Sequence, residues 1–192
     1  MAYKVLNNIL LKDVSASGLA SLKTDLLVLV INKETETNAS FKDLNKISKN
    51  YISKTISSHL KESGSSVLLP NIDGIHAKNL LLVKGLDKKD PIHKWLSMYQ
   101  SVAHKGNHIG SKDISVMPGS VTPNGKDEFW LIEMVSKTIE SNVYIFSETK
   151  NKTSKKPSVK KITILTSGLA GSKLTEAKKA AKVGFAIGEG VN

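Results

Sequence analysis

Cysteine and arginine are both absent from this 192-residue chain. Without cysteine there is no disulfide framework, no thiolate zinc site and no cysteine nucleophile, which is compatible with the reducing cytoplasm. No apolar run approaches the roughly 20 residues that span a bilayer, and the first residues lack the pattern of a signal peptide. We therefore expect a cytoplasmic protein with no membrane partner.

The absence of arginine means that all 28 basic residues are lysine, against 17 acidic residues, for a net charge of +11. Lysine is a point charge, whereas arginine has a planar fork that grips phosphate or a guanine edge with two hydrogen bonds. This composition favours solubility or nonspecific attraction to polyanions over reading of base sequence.

Four apolar runs that do not alternate with polar residues predict strands buried on both faces of a sheet. They cover residues 25–31, 79–83, 113–117 and 161–165. A weaker run over residues 3–10 suits an edge strand. Helical spacing of apolar residues lies between them, over 40–60, 91–106 and 127–146, and again from about Thr175. Strands that alternate with helices predict an α/β layered domain.

No set of side chains forms a recognisable catalytic motif. His104 and His108 are four residues apart, a spacing that could place both on one helix face for a metal. Gly106 lies between them, however, and indicates that the helix ends there. The serines lack the Gly-x-Ser-x-Gly frame of a hydrolase nucleophile. The adjacent acids Asp127 and Glu128 suit the start of a helix. We assign no catalytic residue and no metal ligand.

A glycine-containing loop follows the last predicted strand. It includes Gly168, Gly171 and Ser172 and leads into the last predicted helix. The order of strand, glycine loop and helix amino terminus can cradle phosphate through backbone amides. The loop lacks the P-loop sequence, and short connections often use glycine, so a connecting turn is favoured and phosphate binding is the alternative.

A lysine-rich segment precedes that strand. Its basic residues are Lys150, Lys152, Lys155, Lys156, Lys160 and Lys161. No aromatic residues alternate with these lysines to stack against bases. A solvated charged loop is therefore favoured, and contact with nucleic acid is the alternative.

Several segments, taken in order, resemble the amino-terminal domain of the leucyl (cytosol) aminopeptidase family. The buried strand at residues 25–31, the Pro-Asn-Ile-Asp-Gly turn that leads to residues 79–85, and the helix, basic loop and strand over 135–165 are all similar to it. The segment 177–192, which ends in Glu-Gly-Val-Asn, resembles the helix that joins this domain to the catalytic one. The resemblance covers about residues 3–192.

The resemblance implies a largely parallel mixed sheet with helices on both faces, similar to macro domains. It assigns residues 1–174 to the domain and 175–192 to the start of the connecting helix. In the family, two divalent metals (manganese or zinc) bound by the catalytic domain release amino-terminal residues from peptides. The resemblance therefore implies that this chain is a non-catalytic domain with no cofactor of its own. It also implies that the parent protein is a homo-hexamer, which binds DNA in some bacterial members of the family. A free-standing macro-like domain that binds ADP-ribose, or a basic nucleic-acid-binding module, is the alternative.

Overall fold

The computed structural model describes residues 8–14, 18–37, 39–143 and 158–190. Its central element is a six-stranded sheet in the order β1-β6-β5-β2-β4-β3. The strands are β1 (Asn8–Asp13), β2 (Leu26–Ile31), β3 (Ser66–Pro70), β4 (Asn79–Lys84), β5 (Asp113–Met117) and β6 (Lys161–Thr166).

All neighbouring strands are parallel except β3, which pairs antiparallel with β4. The central strand β2 pairs with β4 from Leu26 opposite Asn79, and with β5 from Leu26 opposite Ile114. Each residue of β2 is buried, because helices cover both faces of the sheet at this position. The prediction of an α/β domain with a mixed, largely parallel sheet is therefore confirmed.

The described residues contain six helices, of which five lie between strands and the sixth follows β6. They are α1 (Lys33–Thr37), α2 (Ala39–Ile47), α3 (Tyr51–His59), α4 (Ile92–His108), α5 (Glu128–Val143) and α6 (Gly171–Gly190). One hydrophobic core lies between the sheet and α4, α5 and α6, and contains Leu26, Val28 and Val30 of β2. The second lies between the opposite face and α2 and α3. Successive side chains of β2 thus contribute to opposite cores.

The predicted helix over residues 40–60 is wrong in one respect, because it is two helices. Lys49 and Asn50 adopt left-handed backbone conformations, with φ of 51° and 64°. The Asn45 side chain stabilises this break by accepting a hydrogen bond from the Ser53 N–H at 3.0 Å. Asparagine tolerates the left-handed region better than most residues, which permits a turn here. Consequently Tyr51, which the helical spacing over residues 40–60 predicts on the apolar face of one continuous helix, is 51% exposed.

Other boundaries also differ from the predictions. Helix α4 continues through Gly106 to His108, and a Cβ atom at Gly106 would lie 2.4 Å from Ile114 Cδ1. Helix α6 begins at Gly171, four residues before Thr175. Strand β3 was not predicted, and the predicted end of α5, residues 144–146, lies outside the described residues. Among the described residues, no helix combines the length and apolarity needed to cross a membrane.

Candidate functional site: a cleft at the carboxyl ends of the strands

A cleft lies where the carboxyl ends of β2, β5 and β6 meet, with a cavity volume of about 250 Å³. Connections leave β2 towards one face of the sheet and leave β5 and β6 towards the other. A crevice therefore opens between diverging segments, which is the usual place of a ligand site in an open α/β sheet. Its lining consists of Thr35, Met117, Pro118, Gly119, Ser120, Glu128, Leu131, Ile132, Leu165, Thr166, Ser167 and Leu169.

The inner wall of the cleft is apolar, because α5 contributes Leu131 and Ile132 and β6 contributes Leu165, all three of which are buried. Hydroxyl groups and backbone from the segments after β5 and β6 form the rim, including Ser120 and Ser167, which are exposed. An apolar interior with a few polar groups at the mouth is the ordinary composition of a small-molecule pocket.

Close backbone packing shapes the floor beside the cleft. A Cβ atom at Gly119 would lie 3.2 Å from Asn32 Nδ2, and its φ of 32° is in a region that favours glycine. Thr35 on α1 holds Asn32 in place, because its hydroxyl donates a hydrogen bond to Asn32 Oδ1. The backbone at Gly119, after β5, therefore lies close to Asn32, after β2.

The charged groups at the mouth come from two helix amino termini. Glu128, in the first turn of α5, lines the cleft, and Lys173 of α6 lies 3.9 Å from its Oε1 atom. Both side chains are largely exposed, so this ion pair contributes little to stability. Asp127 caps α5 by accepting a hydrogen bond from the Trp130 N–H at 2.7 Å. Glu128 is thus the charged residue in the lining of the cleft, and Lys173 lies beside it.

The predicted glycine loop lies at the edge of this cleft. Gly168 and Gly171 both have positive φ, 77° and 57°, which turns the chain sharply from β6 into α6. Leu169, between them, lines the cleft, whereas Ser172 is exposed in the first turn of α6 and is not among the lining residues. The connecting turn is observed, and phosphate binding by these residues stays a prediction.

The predicted lysine cluster is described only in part. Lys150, Lys152, Lys155 and Lys156 lie outside the described residues. Lys160 and Lys161 are exposed at the amino end of β6, the edge of the sheet opposite to the cleft. The Lys160 N–H donates a hydrogen bond to the Lys112 carbonyl at 2.7 Å, so backbone contacts fix the approach to β6. Nucleic-acid contact by this cluster stays a prediction.

A carboxylate network joins the amino ends of β2 and β5 at the same edge. Asp113 accepts hydrogen bonds from the Thr24 hydroxyl and, at 2.7 Å, from the Asp25 N–H. Asp25 in turn accepts one from the Lys112 N–H at 2.8 Å and pairs with Lys78 at 2.6 Å. Burial alone would raise the pKa of Asp25, but the hydrogen bonds from Lys78 and Lys112 and the Lys78 charge together hold it below its usual value.

Within the described part of the chain, no three histidine, aspartate or glutamate side chains lie close enough together to hold a metal ion. His104 and His108 are both exposed on α4. The cleft residues Thr35, Ser120 and Glu128 were not predicted from the sequence as site residues. Each of them follows strand β2 or β5 or begins the next helix, and this position was the available signal in the sequence. Parallel strands bring the residues that follow them to the same edge of the sheet, where ligand sites usually lie.

No family model matches the chain. Among curated proteins it is 27% identical over 184 residues to a probable cytosol aminopeptidase of Nitrosomonas eutropha, covering 93% of this chain and 36% of that protein. A probable cytosol aminopeptidase of Pseudomonas fluorescens is 28% identical over 153 residues, covering 76% of this chain and 30% of that protein. The chain therefore spans about a third of the length of these relatives.

Solved structures agree with these alignments. A tomato leucine aminopeptidase superposes with a TM-score of 0.67 at 18% identity, over 96% of this chain and 37% of that one. The chain resembles the amino-terminal domain of the leucyl aminopeptidases. The resemblance to these aminopeptidases noted in the sequence is thereby confirmed.

The fold of this aminopeptidase-like domain is that of macro domains. The macro domain of ganglioside induced differentiation associated protein 2 has a TM-score of 0.67 at 14% identity, over 97% of this chain and 89% of that one. A Trypanosoma brucei macrodomain in complex with ADP-ribose has a TM-score of 0.61 at 12% identity, over 93% of this chain and 69% of that one. The expectation of a macro-like fold is confirmed.

Proposed function

We propose that this chain is a non-catalytic, structural domain of a leucyl aminopeptidase, and that the rest of such a protein carries the two metals and the peptide-cleaving chemistry. The observation that carries the proposal is the extent of the alignment, which takes in 93% of this chain but only 36% of the aminopeptidase relative. A domain of this kind contributes packing surface and assembly contacts, and it has no cofactor of its own.

Helix α6 supplies a surface suited to that role. Its inner side packs on α5 through Ala177, Ala181, Gly184 and Gly188, which are buried. Its outer side carries Val183 and Ile187, each 39% exposed. Apolar side chains one turn apart on an exposed helix side favour contact with another protein surface. In the proposal, this side of α6 faces the catalytic domain.

Two measurements test the proposed role. The purified chain, incubated with Mn²⁺ or Zn²⁺ and leucine p-nitroanilide, is expected to give no turnover, and metal-dependent turnover would contradict its non-catalytic assignment. In the second, this chain replaces the aligned segment of the Pseudomonas fluorescens aminopeptidase. A soluble chimaera that assembles as a hexamer and retains activity supports a structural role. A folded chimaera that stays monomeric argues against the assembly contribution.

A second candidate function is the binding of ADP-ribose or a related nucleotide in the cleft. The observation that favours it is the position of the cavity at the carboxyl ends of β2, β5 and β6, in a fold shared with a macrodomain solved with ADP-ribose. Calorimetric titration of ADP-ribose tests it. Leu169→Trp should abolish the heat of ADP-ribose binding because its larger side chain fills the cleft. Leu68→Trp, at an exposed position on β3, should leave the heat of binding unchanged. No heat with the unmodified chain eliminates this candidate.

A role in DNA binding rests on the net charge of +11 and on the exposed lysines Lys160 and Lys161. Lysine contacts to phosphates release counterions, so binding to a duplex fragment should weaken steeply between low and physiological salt. We expect no preference for base sequence, because lysine lacks the forked donor that reads guanine. Absence of a mobility shift at low salt would remove this role.

A further inference from the structure

The outer side of α4 carries two histidines on consecutive turns. Because the helix continues through Gly106 to His108, His104 and His108 are one turn apart within a regular helix. Both are exposed, and they share a shallow surface depression with Ser97, Gln100, Ser101 and Lys105 of the same helix. The expectation that the helix would end between the two histidines, which argued against a shared ligand, is therefore wrong.

The helix that carries this pair is firmly anchored. Its inner side buries Trp95, Tyr99, Val102 and Ala103 in the core, each no more than 1% exposed. Gly106 lies between the histidines and packs closely against Ile114 of β5, since a Cβ atom there would lie 2.4 Å from Ile114 Cδ1. The backbone between His104 and His108 is thus held in helical form before any ligand binds, which reduces the ordering cost of binding.

We propose that His104 and His108 form a two-histidine chelating site for a divalent transition-metal ion of borderline softness, such as Ni²⁺, Cu²⁺ or Zn²⁺. Imidazole nitrogen is a preferred ligand of these ions. Side chains four residues apart on a helix have Cβ atoms about 5–6 Å apart, so two imidazoles can converge on one ion. Water occupies the remaining coordination positions, and Gln100 and Ser101, one turn earlier, supply further oxygen atoms to the same depression.

Lys105 is the one cationic side chain among the residues that line this depression. Its amine donates a hydrogen bond to the Ser66 hydroxyl of β3, so the charge of Lys105 has a partner on another element. All six lining residues come from α4, so no carboxylate of another element among the described residues contributes to the site. The proposal therefore predicts an open site of moderate affinity.

Calorimetric titration of Ni²⁺ into the full chain, prepared without a polyhistidine tag in a non-coordinating buffer, tests the proposal. One ion per chain is expected. His104→Ala and His108→Ala should each weaken binding by roughly 100-fold, because either change converts a bidentate site to a monodentate one. His93→Ala is the matched control, an exposed histidine three turns earlier on the same helix, and should leave binding unchanged.

A rescue variant distinguishes chelation of one ion by two histidines from independent binding of ions to single imidazoles. Adding Gln100→His to the His108→Ala variant recreates a four-residue pair with His104 and should restore the affinity. If each single variant lowers the affinity by only about half, the two histidines bind ions independently and the proposal is overturned. Failure of Gln100→His to restore the affinity would also overturn it. The substituted positions are exposed, and circular dichroism of each variant verifies that the helix is intact.

Discussion

The hydroxyl of Tyr99 is buried in the core beneath α4 and makes no hydrogen bond within the part of the chain that the structure describes. Burial also raises the pKa of this phenol, so it remains neutral. A buried hydroxyl without a partner has lost its hydrogen bonds to water and gained none in return. The aromatic ring stabilises the core, whereas the oxygen atom opposes this effect.

At the scale of this residue we predict that Tyr99→Phe increases the free energy of unfolding by about 1 kcal/mol, because it removes a desolvated polar atom and keeps the ring. Urea denaturation followed by circular dichroism measures the change. Tyr51→Phe, at a position that is 51% exposed, is the control and should change stability by less than about 0.5 kcal/mol. A marked loss of stability in Tyr99→Phe would show that the hydroxyl has a partner.

A second residue-scale prediction concerns Asp25, whose pKa in the folded chain is lowered by its partners Lys78 and Lys112. A lowered pKa favours the folded state fully above the ordinary value near 3.9, and this contribution is lost as the pH falls through the folded value. Asp25→Asn should therefore cost about 1–3 kcal/mol at pH 7, the effect of losing charge-assisted hydrogen bonds, and progressively less below pH 4.

Urea denaturation at a series of pH values between 7 and 3 measures this prediction. The comparison variant is Asp43→Asn, an exposed aspartate on α2. The difference in unfolding free energy between wild type and Asp25→Asn should shrink towards acid pH, whereas the Asp43→Asn curve should run close to that of the wild type. A constant difference at all pH values would show that geometry, and not charge, explains the role of Asp25.

At the scale of secondary-structure elements, the packing of α6 on α5 depends on small residues. Ala177, Ala181, Gly184 and Gly188 recur every three or four residues and are all buried. A Cβ atom on Gly184 would lie 2.1 Å from the Glu133 carbonyl oxygen, and one on Gly188 would lie 2.8 Å from the Lys137 carbonyl oxygen. The two helix backbones are therefore closer than any larger residue permits.

We predict that Gly184→Ala destabilises the domain by at least about 2 kcal/mol, because the helices must separate and the gain in helix propensity is only about 1 kcal/mol. Gly190→Ala is the matched control in the same helix, since no other part of the described chain comes within 4 Å of the position that its Cβ atom would occupy. It should leave stability unchanged or raise it slightly. Thermal unfolding of both variants gives the comparison, and equal midpoints would refute close packing at Gly184.

At the scale of the whole molecule, two hydrophobic cores share one sheet. The side chains of β2 alternate between them, with Val28 in one core and Leu27 and Leu29 in the other. Loss of either core would expose one face of a strand that is buried throughout its length. The two layers should therefore unfold together, even though they have no helices in common.

We predict a single cooperative transition in urea, in which tryptophan fluorescence and far-ultraviolet circular dichroism coincide. Fluorescence reports on one layer, because Trp95 is buried in the core beneath α4 and Trp130 packs against the same core. Circular dichroism reports on all elements. If the fluorescence change came at a lower urea concentration than the loss of ellipticity, the layers would be separate folding units.

The sequence by itself determined the central strands and the long helices, because each depends on a local pattern. The run Leu26–Ile31 is apolar at every position, which favours a short strand covered on both faces. The spacing in α4 and α5 identifies helices with one buried side. The order of these segments was also sufficient for the resemblance to the aminopeptidase domain, since it depends on the succession of elements.

Tertiary structure alone decided the features that depend on contacts beyond a single helical turn. The Asn45 side chain stabilises the break at Lys49 and Asn50, and Gly106 lies within α4 where it packs against Ile114. The cleft gathers Thr35, Glu128 and Ser167 from three connections that are far apart in the chain. Local patterns show which residues follow a strand, but which of these residues meet depends on the order in which the parallel strands assemble in the sheet.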